Sequence, residues 1–467
     1  MKVAFCSSEV FPFAKTGGLA DVSGALPFAL AKKDCQVKVF MPFYKNIKPQ
    51  KVLDNYGYTK QGKVEFYFIK NDAYFKRDAL YGTPAADYPD NLERFSYYSK
   101  EVLNLLKILK FKPQVVHCND WQSSLANIYI KTLYSQDPFF KNTRTVLTIH
   151  NLAYQGVFDA KSYQMLGIPQ EYFSMNYLEF YGKVNLLKGG IIFSDYVNTV
   201  SPTYARQIQT SEYGCGLDGV LREKGDRLCG ILNAIDYGVW NPKSDKLIYK
   251  KYTSESIEDK YVNKTKFQKD LGLKVDKNVL FLGMVSRLAE QKGVDILSQA
   301  LDQILKHAQV VILGFGDEKY HKLLKNKAAK FKNSFSLNLK FDEDVAHRIY
   351  ASCDCFLLPS RFEPCGLSQM ISYKYATIPI VHATGGLVDT VTDVTEKGGG
   401  IVFSKYSSND LLESVKKAGA LFKQRKTWQA LIKKVTRYNF SWETTADKYI
   451  DMYKNTVKSS EPCGCSS

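Results

Sequence analysis

No apolar run in the 467-residue sequence approaches the roughly 18 residues that a membrane-spanning helix needs. The apolar stretch at the start is too short for a signal peptide and leads directly into a glycine-containing loop. We therefore expect a cytoplasmic protein without a membrane partner. Aromatic residues make up 13% of the sequence, which excludes disorder as its main state because disordered chains contain few of them.

The ten cysteines include no C-x-x-C pair. Several of them lie in apolar, strand-like segments, where a cysteine acts as a small core residue. A structural zinc site or a disulfide framework is therefore not expected. Cys463 and Cys465 near the last residue could bind a metal or be modified, but the favoured interpretation is a frayed terminus.

Blocks of about five or six like charges, which are typical of nucleic-acid-binding arms, are also absent. Lys and Arg nevertheless total 64 against 47 Asp and Glu, so the formal net charge is +17. This excess favours anionic partners such as phosphates, and the alternative is a generally basic surface. Because no recognised nucleic-acid-binding motif accompanies the charge, we expect no nucleic-acid partner.

Short apolar, β-rich segments alternate with segments of helical periodicity. Residues 3–6 and 37–41 predict strands, and apolar residues at helical spacing over 19–30 predict a helix between them. The same alternation restarts near residue 279, so we predict two α/β domains, each with a doubly wound, mostly parallel sheet. Further strands are predicted over 115–118, 146–149, 197–200, 279–285, 310–313 and 355–359, and a helix over 293–307.

A polar segment, residues 240–262, separates the two halves and is interpreted as the connection between the domains. A cleft between two such domains is the default ligand site, and ligands of parallel sheets lie beyond the carboxyl ends of the strands.

Neither a Walker A loop nor a G-x-G-x-x-G fingerprint is present, which argues against an ATPase or a dehydrogenase. The loop after the first predicted strand instead contains Lys15, Gly17 and Gly18. Paired glycines let the backbone approach a bulky anion, and the lysine adds charge beside a helix N-terminus. The pattern is compatible with phosphate binding, although a lysine and two glycines also open many helices that bind nothing.

The second half contains a matching set of cations and glycines. Arg287 and Lys292 follow a predicted strand, and two cations on one loop can clamp a diphosphate. Thr384, Gly385 and Gly386 precede a predicted helix, as the glycines of the first loop do.

Glu363 and His150 lie at the ends of predicted strands. Glu363 could accept hydrogen bonds from sugar hydroxyls, but a helix dipole alone also favours a glutamate at such a position. A histidine at a strand end is more often structural than catalytic. The residues by themselves leave both alternatives open.

Taken together, these segments resemble the bacterial glycogen synthases and plant-type starch synthases of glycosyltransferase family 5. The resemblance implies the GT-B fold, in which two Rossmann-like domains face each other across a deep cleft. The matching segments are Lys-Thr-Gly-Gly-Leu-Ala-Asp-Val at 15–22, Asn-Asp-Trp at 119–121, Ile-His-Asn-Leu-Ala-Tyr-Gln-Gly at 149–156, Lys-Gly-Gly-Ile at 188–191, Val-Ser-Pro-Thr-Tyr-Ala at 200–205, Gly-Ile-Leu-Asn at 230–233, Ser-Arg-Leu-Ala-Glu-Gln-Lys-Gly at 286–293, Ser-Arg-Phe-Glu-Pro-Cys-Gly-Leu at 360–367 and Thr-Gly-Gly-Leu-Val-Asp-Thr-Val at 384–391.

The resemblance also implies where the domains begin and end. An acceptor-side N-terminal domain is expected over 1–241, a linker over 242–262 and a nucleotide-sugar-binding domain over 263–442. A C-terminal helix over 443–460 is expected to cross back to the first domain, followed by a flexible tail over 461–467.

The roles of individual residues follow from the same resemblance. Catalytic roles are implied for His150 beside the donor glucose, for Arg287 and Lys292 at the diphosphate, and for Glu363 at the glucose ring. The acceptor-side residues implied are Glu9, Asp21 and Asp120. The implied nucleotide-sugar contacts are Lys15, Gly17, Gly18, Asn233, Phe341, Cys365, Gly366, Leu367, Thr384, Gly385 and Gly386.

The activity implied is the retaining transfer of glucose from ADP-glucose to the non-reducing end of an α-1,4-glucan, with release of ADP. No cofactor and no metal are expected, because the acidic run over 342–344 fits a helix N-terminus better than a cation-binding Asp-x-Asp motif. The alternatives are a GT-B enzyme that uses UDP-glucose and a non-catalytic glucan-binding or initiation protein.

The sequence departs from the family pattern at some positions. Many bacterial members have histidine where this chain has Asn119 and Gln122, so neither these residues nor His117 receives a role. Ile371 stands where the wider GT-B group has a second glutamate, and a two-carboxylate mechanism is therefore not available from that motif. The resemblance implies front-face attack instead, with the leaving phosphate taking the acceptor's proton.

Phe341 is expected to stack on the adenine of the donor through its ring face. Phe341→Ala should raise KM for ADP-glucose through a stacking loss of about 1–3 kcal/mol, whereas Phe341→Tyr keeps the ring face and should change KM little. Steady-state kinetics over a range of ADP-glucose concentrations measures both effects. An unchanged KM in Phe341→Ala would show that Phe341 is simply a core residue.

Overall fold

Two large, mostly parallel β-sheets organise the protein in the computed structural model, which describes residues 1–83, 86–340 and 342–458. One unit comprises Met1–Asn233 and the chain from Trp442 onward, and the other comprises Ala234–Ser441. The prediction of two α/β domains is therefore confirmed. In the described part of the chain, no helix is both long and apolar enough to cross a membrane.

The first unit contains a nine-stranded sheet and a small three-stranded one. Its strands are β1 (Lys2–Cys6), β2 (Gln36–Pro42), β3 (Lys51–Val52), β4 (Tyr56–Gln61), β5 (Val64–Ile69), β6 (Val115–Asn119), β7 (Arg144–Ile149), β8 (Val157–Asp159), β9 (Glu179–Phe180), β10 (Lys183–Asn185), β11 (Tyr196–Thr199) and β12 (Leu228–Gly230). Its helices are α1 (Gly18–Lys32), α2 (Asp72–Phe75), α3 (Asn91–Ile108), α4 (Asp120–Lys131), α5 (Leu186–Phe193), α6 (Pro202–Gln207) and α7 (Asp218–Arg222).

The large sheet has the strand order β12-β11-β7-β6-β1-β2-β5-β4-β3. All neighbours from β12 to β5 are parallel, while β4 and β3 extend the edge as antiparallel strands. Strands β1, β6 and β7 are almost completely buried, which explains why they are continuous apolar runs in the sequence. Their carboxyl ends lie side by side.

The second unit is built on a six-stranded, fully parallel sheet with the order β15-β14-β13-β16-β17-β18. Its elements are α8 (Asp259–Asp270), β13 (Leu280–Val285), α9 (Val294–Ile304), β14 (Ala308–Leu313), α10 (Glu318–Lys330), β15 (Phe335–Asn338), α11 (Glu343–Ser352), β16 (Cys355–Leu358), α12 (Ser368–Lys374), β17 (Ile378–His382), α13 (Gly385–Thr390), β18 (Ile401–Phe403), α14 (Ser408–Lys423) and α15 (Arg425–Val435).

The segment expected as a linker, residues 242–262, lies within the second unit, because the two units divide at Asn233 and again at Ser441. Asp245 of this segment is buried, and its Oδ2 accepts hydrogen bonds from His347 Nδ1 at 2.7 Å and from the Tyr375 hydroxyl at 2.6 Å. The polar residues of the segment are therefore partly internal hydrogen-bonding groups of the second unit.

The last described helix, α16 (Trp442–Lys458), belongs to the first unit. A buried chain of hydrogen bonds ties it to the sheet: the Tyr453 hydroxyl is 2.7 Å from His117 Nδ1, and His117 Nε2 is 2.6 Å from Thr148 Oγ1. Thr148 in turn donates to Asn198 Oδ1 at 2.6 Å, so it accepts from His117 Nε2 and leaves Nδ1 to accept from Tyr453. Burial lowers the pKa of His117 to about 3, which keeps this ring neutral.

Candidate active site

In the second unit, the loops after β13 and β16 meet through an ion pair. Lys292 Nζ lies 2.6 Å from Glu363 Oε2, and the Ser360 hydroxyl donates to the same oxygen at 3.1 Å. The Glu363 side chain is 8% exposed and that of Lys292 is 20% exposed. A carboxylate this well buried and held by two donors is fixed in one orientation, as a site that recognises a polar ligand requires.

Gly293 lets these two loops approach each other. Its φ of +72° lies in the left-handed region, and a Cβ atom here would stand 1.9 Å from the carbonyl oxygen of Pro359. The Arg361 N–H also donates to the Gln291 carbonyl at 2.9 Å. Backbone contacts on both sides of Lys292 therefore fix its position relative to Glu363.

Arg287 lies on the same loop as Lys292 and is exposed. Its Nη2 donates to the Gln291 side-chain oxygen at 3.0 Å. The loop thus carries two cations, one paired with a buried carboxylate and one at the surface. Such an arrangement can bind an anionic group such as a phosphate.

The glycines predicted to face the ligand pack against the Glu363 loop. The Gly386 N–H donates to the Glu363 carbonyl at 3.0 Å, and a Cβ on Gly386 would be 2.4 Å from Cys365 Cα. Thr384, which precedes α13, is 1% exposed, and no described residue makes a hydrogen bond to its Oγ1. The structure therefore brings the 363–367 and 384–386 segments into contact beyond the ends of β16 and β17.

Gln369, which is fully buried, supports these segments and was not predicted from the sequence. Its Nε2 donates to the carbonyls of Cys365 at 3.0 Å and Gly366 at 2.9 Å, and so holds the turn that leads to Leu367 and α12. Gly366 has a φ of +74° in this turn. The available signal in the sequence was a polar residue three positions after Gly366.

In the first unit, the Glu9 carboxylate accepts hydrogen bonds from the backbone of the glycine loop. Glu9 Oε2 accepts from the N–H groups of Thr16 at 2.5 Å and Gly17 at 3.3 Å, while Oε1 accepts from the Tyr81 hydroxyl at 2.7 Å. The Gly17 N–H expected to face a phosphate is therefore bonded to a carboxylate of the chain itself. The Glu9 carboxylate therefore shapes this loop, and the expectation that it faces an acceptor stays a prediction.

Lys15 and Asp21 complete the same loop. Lys15 Nζ pairs with Asp21 Oδ1 at 2.6 Å, and both side chains are 30% exposed. Gly17 and Gly18 are exposed at the start of α1, and a Cβ on Gly17 would meet no atom within 4 Å. The structure therefore brings five predicted residues of the first unit together, namely Glu9, Lys15, Gly17, Gly18 and Asp21, and their ligand roles stay predictions.

His150 and Asp120 meet at the carboxyl ends of β7 and β6. Asp120 Oδ1 accepts from the His150 backbone N–H at 2.7 Å, and His150 Nε2 lies 2.9 Å from Asn119 Oδ1. Burial lowers the pKa of His150 to about 3, so its ring is neutral. Burial raises the pKa of Asp120 to about 7, although backbone hydrogen bonds oppose the shift. Asp120 therefore holds the His150 backbone, which the expectation of an acceptor contact did not include.

Three further predictions concern single residues. Asn233 is buried, no described residue bonds its Oδ1, and its contact with the nucleotide sugar stays a prediction. Phe341 lies outside the described residues. Asp342 accepts from the Val345 N–H at 3.1 Å and caps α11, which confirms the helix N-terminal interpretation of the acidic run. Among the residues described, no group of three or more potential metal ligands is found.

Two family models match the chain in sequence. The starch synthase catalytic domain matches residues 2–223, and the glycosyl transferases group 1 domain matches residues 263–437. The glycogen synthase of Thermosipho melanesiensis is 45% identical over 98% of this chain and 99% of its own length. The glycogen synthase of Thermotoga maritima is 43% identical over the same shares of the two chains.

Solved structures are also similar. The catalytic domain of starch synthase IV from Arabidopsis thaliana, bound to ADP and acarbose, has a TM-score of 0.91 and 32% identity, with 98% of this chain and 99% of that chain covered. Sucrose-phosphate synthase from Thermosynechococcus elongatus has a TM-score of 0.64 at 16% identity over 98% of this chain and 100% of that chain, which supports the fold alone.

The chain has two α/β domains with mostly parallel sheets, and the second carries cations and a buried carboxylate at its strand ends. These features and the matching glycosyltransferase domains assign the chain to the GT-B class of glycosyltransferases. Within this class, the chain belongs to the glycogen synthase and starch synthase family. The resemblance read from the sequence motifs is thereby confirmed.

Blocking the close approach of the two loops at Gly293 should lower the stability of the fold. Gly293→Ala combines a left-handed backbone with a clash against Pro359, and should lower the free energy of unfolding by about 2–5 kcal/mol. Gly272→Ala is the matched control, because its φ is +69° but no atom lies within 4 Å, and it should cost only about 1–2 kcal/mol. Denaturant unfolding measures both, and equal losses would contradict the proposed close packing.

Proposed function

We propose that this protein transfers glucose from ADP-glucose to the non-reducing end of an α-1,4-glucan in the cytoplasm, with retention of configuration and release of ADP. The observation that carries the proposal is the Lys292–Glu363 pair, which sets a fixed cation beside a buried hydrogen-bond acceptor. The likeness to a starch synthase catalytic domain bound to ADP and acarbose supports an adenine nucleotide and an oligosaccharide as ligands.

In this proposal, Lys292 and Arg287 bind the diphosphate. Breaking the bond between glucose and phosphate moves negative charge onto the departing diphosphate. Fixed cations at this position stabilise the transition state more than the ground state, and such electrostatic stabilisation is usually the largest catalytic contribution. Lys292 is suited to this role because its pairing with Glu363 holds the ammonium group in place before the substrate arrives.

Glu363 is proposed to orient the glucose ring. Its Oε2 already accepts from Lys292 and Ser360, and an ionised carboxylate has further lone pairs that can accept from sugar hydroxyls. The backbone of Cys365, Gly366 and Leu367, together with the 384–386 segment, is proposed to contact the sugar and the phosphates.

The proposed reaction needs no metal and no carboxylate nucleophile. Ile371 stands at the position of the second GT-B glutamate. As the family resemblance implies, we propose that the acceptor hydroxyl attacks from the face that the diphosphate leaves, and that the departing phosphate oxygen takes its proton. His150 is proposed to lie beside the donor glucose as a neutral ring, which favours hydrogen bonding over ionic stabilisation.

A transfer assay tests the proposal directly. The purified chain is incubated with radiolabelled ADP-glucose or UDP-glucose, each with glycogen or with maltooligosaccharides, and label in the glucan is counted. Extension of the glucan from ADP-glucose supports the proposal. Transfer from UDP-glucose alone would indicate a different donor, and binding of glucan without transfer from either donor would indicate a non-catalytic protein.

Removing either partner of the ion pair should lower kcat while the fold survives. Lys292→Ala and Glu363→Gln should each reduce kcat on the order of 10²–10³-fold, because each removes a contact to developing charge or to the reacting sugar. Lys327→Ala is the matched control, since Lys327 pairs with Asp302 and its side chain is 19% exposed against 20% for Lys292.

Kinetics with ADP-glucose and circular dichroism separate activity from folding in these variants. Near-normal turnover by a folded Lys292→Ala or Glu363→Gln protein would overturn the assignment of the site, and so would an equal loss in Lys327→Ala.

A further inference from the structure

The hydrogen bonds around His150 fix where its proton lies. Asn119 Nδ2 is 3.0 Å from the carbonyl oxygen of Cys6, which can only accept, so the amide nitrogen of Asn119 must face Cys6. This places Asn119 Oδ1 towards His150 Nε2, 2.9 Å away. Since an amide oxygen also only accepts, Nε2 carries the proton and Nδ1 carries a lone pair.

The strand order makes this bridge possible. Asn119 is the last residue of β6, which lies between β1 and β7 in the sheet. Cys6 ends β1, and His150 directly follows β7. Asn119 is 1% exposed, so its amide exchanges neither bond with bulk water. One buried amide thus spans the ends of three neighbouring strands.

We propose that Asn119 is a positioning residue for glucose transfer, which fixes the tautomer and the ring orientation of His150 through its bridge to Cys6. The inference rests on the proposed function, because His150 acts on a donor sugar only if the chain transfers glucose. In the fixed tautomer, Nδ1 can accept a hydrogen bond from a sugar hydroxyl. In the other tautomer this nitrogen would be a donor and would lose that ability.

The bridge requires a side chain with one donor and one acceptor at the right spacing. An amide meets this requirement, and so does a neutral imidazole, which has one N–H and one bare nitrogen. This explains how Asn119 can stand where many bacterial members of the family have histidine. Alanine and leucine provide neither group.

Kinetics of Asn119 variants test the positioning role. Asn119→Ala and Asn119→Leu should lower kcat by on the order of 10–100-fold, with a smaller change in KM for ADP-glucose, whereas Asn119→His should restore most of the rate. Asn127→Ala is the matched control: Asn127 is fully buried in α4, and its Nδ2 donates to the Val146 carbonyl and the Ser194 hydroxyl. It should lose stability without the same loss of kcat.

A spectroscopic readout tests the tautomer independently of activity. The full chain is labelled with ¹⁵N-histidine, long-range ¹H–¹⁵N spectra are recorded, and the His150 signals are assigned with His150→Gln. The wild type and Asn127→Ala should show His150 protonated at Nε2, and Asn119→Ala should show a mixture of tautomers. An unchanged His150 tautomer in both Asn119→Ala and Asn119→Leu would overturn the inference, as would equal kcat losses in Asn127→Ala and Asn119→Ala.

These two readouts separate the inference from the proposed function. If the wild type transfers glucose from neither donor, the proposed function fails, and the spectra alone decide whether Asn119 sets the state of His150. If the wild type is active but the variants behave like the control, the positioning role fails while the proposed function stands.

Discussion

The ion pair between Lys292 and Glu363 is the interaction on which the second unit's site depends. A buried carboxylate without a cation would be strongly unfavourable, and a lysine held near a polar surface without a partner would be mobile. The lysine therefore offsets the cost of burying the carboxylate, and the carboxylate holds the lysine in one position. The pair requires the loops after β13 and β16 to touch, which in turn requires a glycine at position 293, where a side chain would collide with Pro359.

At the carboxyl ends of β6 and β7 in the first unit, hydrogen bonds to neutral or weakly charged groups position the side chains. Burial lowers the pKa of His150 to about 3, so its ring is neutral, and burial raises the pKa of Asp120 to about 7. In such a setting, the direction of each hydrogen bond decides what a side chain can do. Asn119 fixes the orientation of the His150 ring through one hydrogen bond, and Asp120 fixes the position of the His150 backbone through another.

The central parallel strands of the two large sheets could be predicted from the sequence, because buried parallel strands are apolar runs and their helices keep a separate periodicity. The antiparallel strands β3 and β4 and the small three-stranded sheet could not. The boundaries of the connection could not, since composition does not distinguish a solvated polar residue from Asp245, which is bonded inside the second unit. Lys292 and Glu363 are 71 positions apart, and only the resemblance to a known family joined them. Asn119 was missed because its partners lie 113 and 31 positions away, and the order of three strands is needed to bring them together.

A crystal structure of the chain with ADP would show whether the diphosphate binds at the Lys292–Glu363 pair, as we propose. We expect a diphosphate oxygen within hydrogen-bond distance of Lys292 Nζ, about 2.7–2.9 Å, with Glu363 still in its present orientation. ADP bound away from the 286–293 loop, with Lys292 making no phosphate contact, would contradict this proposal.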